Sequence, residues 1–447
     1  MRSQELTGPG FWKTLHLIRE FKNNTVRVHE KTFKEFGNYV GTTFMGQKLV
    51  FIYHPDGIQH ILKTNYKNYI KGDGTKEFSH VLGKGLITTD GDEWLKLRKI
   101  QGPEFHSKKI DELFPVICEQ VNITLRFFKN NSEVFDVVPH LSRLAFSITG
   151  ESLFGTSPQE VEEYQKTFSA IEGPLSKFTN DRMYDFFNWP TWFPTRGNVK
   201  FNRDLKKFNE ILKKIISKNN PTSSLGENML SKLHQGTANG CPILSEKSIR
   251  DQVATLLVAG IETTSYALSW TFYLLGKHQD IQNDLRDELN ANVSNEIPSF
   301  EEVKKLTLTE QIFLEAMRLF PTSPLVDRKS IQDDEVCGFS IEAGSMIEGC
   351  QWVTHRHPDF WTEPNNFNPR RFEKAEIAKR HPFAYFPFSG GPRQCIGASM
   401  ALLEGVIILA AIIKNFRIEL DLDREPRPHL AVTLRPVPGV FIKAIPI

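Results

Sequence analysis

The run from Phe388 to Gly397, Phe-Ser-Gly-Gly-Pro-Arg-Gln-Cys-Ile-Gly, holds the residues most suited to chemistry. Two adjacent glycines and a proline cannot lie inside a helix or a central strand. The spacing therefore predicts a loop that delivers Cys395 to the start of the following helix. A thiolate is favoured there by the helix dipole and by unpaired backbone N–H groups. Gly397 would let a flat ligand approach closely, and Arg393 could pair with an anionic group on it. The alternative is a buried structural cysteine, because a free Cys usually acts as a small core hydrophobe.

Three further groups stand out. Glu315 and Arg318 are three residues apart on a predicted helix that ends at Pro321, so they share a face and can pair. Glu262 sits beside Thr263 and Thr264 within the apolar stretch Val253 to Leu275. Thr263 can bond back to a helix carbonyl. Trp94 and Arg98 are one helical turn apart, and both can donate to a carboxylate.

The elements that must position these groups are mostly helical. Helical periodicity dominates from about Trp94 to Ser330, with starts marked by Ser245 and by the capping box Ser299-Phe300-Glu301-Glu302. Lys48 to Tyr53 reads as a strand followed by a His54-Pro55-Asp56-Gly57 turn, and Val336 to Ile341 as a hairpin arm. Phe367 to Pro392 reads as irregular, Ala398 to Asn415 as an apolar helix, and the tail from Asp421 as short strands. Linker candidates are Asn219 to Ser224 and Gln235 to Pro242. Val253 to Leu275 is long enough to span a bilayer, but a carboxylate at mid-membrane costs about 2.5–3.5 kcal/mol. Gly405 to Ile413 is too short to span. Both are expected to be buried helices of a chain without a membrane span.

Composition excludes several functions. The 447 residues carry 55 Lys plus Arg against 53 Asp plus Glu, a net charge of +2 that gives nucleic acid no basic surplus to bind. Five scattered cysteines form no C-x-x-C clip, which weighs against a disulfide framework, zinc or an iron–sulfur cluster. Phenylalanine is in excess, 34 against 9 Tyr and 7 Trp, so the core or a pocket within it is expected to be strongly apolar.

The pattern Phe-x-x-Gly-x-Arg-x-Cys-x-Gly resembles the haem-binding loop of cytochromes P450. The resemblance runs from roughly Phe36 to the end through five motifs in family order. It implies a mainly α fold with a small β part, one catalytic domain over 1–447, and a long oxygen-binding helix that encloses haem b together with the cysteine loop. Within that domain the expected parts are a β-containing lobe over 36–70, a helical body over 86–330 and a meander and cysteine-loop region over 330–447. It implies Cys395 as the proximal iron ligand, with Phe388, Arg393 and Gly397 around it, and Trp94, Arg98 and Arg328 as donors to the haem propionates. Glu315, Arg318 and Arg371 would form a buried network; Arg370 departs from the Glu common in the family. Ala259-Gly260-Ile261-Glu262-Thr263-Thr264 resembles the oxygen-binding helix. Gly260 would leave room for a distal ligand, and Thr263 and Glu262 would deliver protons.

The implied activity is oxygen insertion from O2 into an apolar substrate, by hydroxylation or epoxidation of a fatty acid, terpenoid or steroid-like molecule. Electrons would come from a separate ferredoxin, flavodoxin or flavoprotein reductase, assisted by Lys96, Lys99, Arg380 and Arg393 on the cysteine side. Alternatives are a peroxide-driven peroxygenase, a non-catalytic haem sensor and a Cys-dependent hydrolase; Glu262-Thr263 disfavours the first two and the lack of a paired His motif the third. By analogy Phe78, Val81, Phe186, Phe187, Val258, Pro324, Leu325, Val326 and Leu434 contact the substrate. The expected protein is a cytoplasmic, soluble monomer, or a membrane-anchored one if a helix precedes Gly8-Pro9-Gly10.

Overall fold

The computed structural model describes residues 4–185, 188–218, 228–235 and 244–447. Its centre is the helix Glu246–Lys277, opened by the Ser245 side chain accepting from the Ser248 N–H at 3.2 Å. The helix carries many hydroxyls, yet it is almost wholly buried. Those hydroxyls are satisfied internally: Thr255, Thr263, Ser269 and Thr271 each donate to the carbonyl four residues back, at 2.8, 2.6, 2.6 and 2.7 Å.

Val138–Phe154 packs along this helix, with Thr307–Leu319 and Ala398–Asn415 completing the main core around Trp270, Phe272, Phe313 and Ile407. Ala398–Asn415 is the one described helix long and apolar enough to cross a membrane, but its residues from Glu404 to Ile413 are all buried in the protein. The capping box at Ser299 forms as expected.

A five-stranded sheet stands to one side. Its order is Tyr39–Phe44, Gln47–Ile52, Met346–Cys350, Leu325–Ser330 and Tyr69–Lys71, so it joins the beginning of the chain to its last third. Gln47–Ile52 runs parallel to Met346–Cys350, and the other pairs are antiparallel. The helix Phe11–Phe36 packs on this sheet through Leu17, Phe21 and Phe33. The His54-Pro55-Asp56-Gly57 segment differs from expectation: Pro55 starts a short helix, Pro55–Gln59, capped by the His54 ring. Proline fits the first helical turn, where its missing N–H costs nothing. Asp334–Val336 and Phe339–Ile341 form the expected hairpin, and the tail gives strands Arg427–Leu430, Leu434–Val437 and Phe441–Pro446. The linker candidates fall almost entirely outside the described residues.

Candidate functional site

The cysteine loop is closed on itself. The Cys395 N–H donates to the Phe388 carbonyl at 2.9 Å, and Ser389 takes a left-handed φ of 60° to make the turn. Gly391 also has positive φ, at 67°, and a Cβ there would lie 2.0 Å from the Leu62 carbonyl oxygen, so only glycine lets the loop seat on residues 60–64. Gly397 differs. A Cβ there would meet only Phe105 at 3.8 Å, so protein packing does not demand the glycine.

Cys395 is exposed, yet protein surrounds it closely enough to push its thiol up. The Gly397 N–H and the Arg98 guanidinium pull it down, as the helix-start position anticipates, but burial outweighs both. Coordination to a metal reverses that balance, since a ligating thiol is deprotonated outright.

Cations gather around Arg393, two residues before the cysteine. Arg393 does not wait for a ligand: it donates to Asp90 at 2.6 Å and to the Thr89 carbonyl at 2.8 Å, and lies 4.2 Å over the Trp94 ring. Arg328 is buried, bonds only its neighbouring carbonyl among the described residues, and is lowered to about 10 by burial and by Arg393. Lys71, absent from the sequence-based expectations, is lowered to about 7 by burial, Arg328 and Arg393. It stands directly across the ladder from Arg328. Like charges opposed in a sheet are destabilising unless an anion separates them. Among the described residues no carboxylate ion-pairs with Lys71, Arg98 or Arg328. Only the fold could reveal Lys71, because its partner is more than 250 residues away.

Glu315 and Arg318 are fully buried and paired by two hydrogen bonds of 2.6 and 2.8 Å. Arg318 also donates to the carbonyls of His355, Pro364 and Asn366 at 2.9, 2.7 and 3.2 Å. Arg371 approaches Glu315 at 3.4 Å and donates to Thr362 and Glu363 carbonyls, while Arg370 stays on the surface. His355 passes the link onward: its Nε2 accepts the Phe386 N–H at 3.0 Å. The ion pair thus braces the meander, and the meander braces the cysteine loop. Arg380 stacks 3.9 Å over Trp361 and Arg393 is tied to Asp90, so neither belongs to an outward positive surface.

Thr263 donates to the Ala259 carbonyl, as expected. Gly260 has another role than expected. A Cβ there would sit 2.7 Å from Thr149 Oγ1, so this glycine permits close helix packing. Glu262 is buried and turned toward the helix Pro158–Tyr184 and the turn between the tail strands: it accepts from Ser176 at 3.1 Å and Thr433 at 2.6 Å. It lines a narrow, partly open cavity with Phe78, Val81 and Val258, together with Phe168, Glu172 and Phe208. Val326 instead packs in the core under the sheet, Leu325 joins the neighbouring apolar cluster, and Pro324 offers its carbonyl to Gln351. Leu434 is fully buried, with its carbonyl accepting from Trp270. None of these four residues lines that cavity. Phe186 and Phe187 lie outside the described residues.

The residues fit haem b: a single available thiol at a helix start, cations in surplus for two propionates, and a glycine that leaves one face clear. Together they define a haem-thiolate protein. Residues 4–443 match the family Cytochrome P450. Rat cytochrome P450 4V2 is 30% identical over 88% of this chain and 80% of its own length. The chloroplastic protein LUTEIN DEFICIENT 5 of Arabidopsis thaliana is 29% identical over 87% and 68%. The crystal structure of the cytochrome P450DA heme domain superposes with a TM-score of 0.89, at 21% identity, over 100% of this chain and 99% of that one. The chain belongs to the cytochrome P450 family. It is a haem b monooxygenase that uses O2, an apolar substrate and electrons from a redox partner.

Proposed function

We propose that this enzyme hydroxylates or epoxidises an apolar substrate held in the cavity bounded by Phe78, Val81, Phe168 and Val258, with electrons from a separate protein. The observation that carries the assignment of the site is the unpaired cation group around Arg393, two residues before Cys395. Haem, when bound, supplies the oxygen-activating redox chemistry. Cys395 would hold its iron as a thiolate. Trp94, Arg98, Arg328 and Lys71 would orient its carboxylates, with Arg393 fixing Asp90 and Trp94 behind them. Thr263 would hold a proton at its Oγ1, exchanging its bond to Ala259, while the apolar cavity wall excludes water. Glu262 is one residue from Thr263 but is engaged by Ser176 and Thr433, so proton delivery from it would require a side-chain rotation.

The carbon monoxide difference spectrum of the reduced protein tests this directly. The thiolate-type band should appear in the wild type and vanish in Cys395→Ser. A band that survives the substitution removes Cys395 as the ligand.

A further inference from the structure

The cavity is walled mainly by aliphatic and aromatic side chains, which accounts for an apolar substrate but not for two glutamates. Glu172, on Pro158–Tyr184, hydrogen-bonds Glu262 across the gap between helices. The Tyr266 hydroxyl donates to Glu172 at 3.2 Å. Two carboxylates this close in an apolar wall cannot both be ionised cheaply. Burial first, and then the Glu262 charge, push Glu172 up to about 8. Glu172 therefore keeps its proton near neutral pH. Arg435 acts on Glu172 in the opposite sense from the strand Leu434–Val437, but burial outweighs it. A corner with a carboxyl proton and spare oxygen lone pairs suits a neutral group that can both donate and accept.

We propose that Glu172 is a specificity-determining residue of this monooxygenase: with Glu262 it hydrogen-bonds a hydroxyl on an otherwise apolar substrate. Binding in this way fixes which carbon of the skeleton faces the reacting side. The inference rests on the cavity assigned above and adds the polar group its occupant must carry.

The test uses holoenzyme and two probes of similar size, 1-decanol and 1-chlorodecane, with dissociation constants from isothermal titration and from the haem spin-state shift. Glu172→Leu should weaken 1-decanol about tenfold while leaving 1-chlorodecane within about twofold, the loss expected of one buried hydrogen bond. Glu172→Gln, which keeps shape and a donor, should hold 1-decanol within about threefold of the wild type. Equal weakening of both probes would mean that Glu172 only packs the wall, and no change for either would remove it from the pocket; both results overturn the proposal. Each variant is checked by its carbon monoxide band. A wild type without that band would overturn the haem assignment itself, a failure distinct from the loss of probe discrimination.

Discussion

Glu315→Gln should destabilise the holoenzyme by about 3–5 kcal/mol, the cost of leaving a buried charge without its partner. The geometry places the effect near the top of that range. Arg318 has no exposed surface, and Glu315 supplies both of its charged hydrogen bonds. Removing the charge leaves the three carbonyl contacts in place but nothing to neutralise the guanidinium. Against a total stability of about 5–15 kcal/mol the loss multiplies the unfolded fraction by about two to three orders of magnitude or more. Replacing both partners by leucine is frequently harmless for buried pairs. Here it should be no better than the single change, because the carbonyls of His355, Pro364 and Asn366 would each lose a donor, at about 1–3 kcal/mol apiece. The assay is guanidinium titration followed by haem absorbance and by fluorescence of the seven tryptophans, with coincident curves required before a free energy is extracted. A Glu315→Gln protein within about 1 kcal/mol of wild type, or a double-leucine variant that recovers, would refute the bracing role.

Three other outcomes follow from the geometry. Thr263→Ala should divert reducing equivalents to peroxide and lower product per electron several-fold; unchanged coupling would end the proton-holding role of that hydroxyl. Glu404 is buried beneath the long helix, takes only the Thr264 hydroxyl, and is raised by burial to about 8, above its unfolded value. An acid raised in this way favours folding most below about pH 4.5, and its contribution is lost as pH climbs through about 8. Glu404→Gln should therefore flatten the decline in stability between pH 5 and 8, measured as denaturation midpoints at each pH, and an unaltered slope would count against it. Lys71→Met should speed haem loss to apomyoglobin about tenfold through one missing charged hydrogen bond, and an unchanged rate would mean that Lys71 does not reach the cofactor.

The motif residues were legible because their chemistry is local. Cys395 with its glycines, the Glu315–Arg318 spacing and the back-bonded Thr263 depend on neighbours within a turn or two. Lys71 was not legible, since its significance comes from a strand register with Arg328 that no local pattern encodes. Glu172 was missed for the same reason: only helix packing brings it to Glu262. Gly260 was misjudged because a glycine in a helix says that something comes close without saying what, and here it is Thr149. Val326 and Leu434 were placed by analogy, and both lie in the core instead.

The parallel pairing of Gln47–Ile52 with Met346–Cys350 sets a timetable on the ribosome. The first strand emerges about 300 residues before the second, and at about 5–20 residues per second its unpaired edge waits roughly 15–60 s. Throughout that interval the hairpin it forms with Tyr39–Phe44 offers bare N–H and C=O groups to any passing chain. The thiol arrives later still. Nascent protein must therefore stay unaggregated, shielded by its own helices or by a holdase, until Met346–Cys350 has emerged, and cofactor capture must wait longer still, for Cys395.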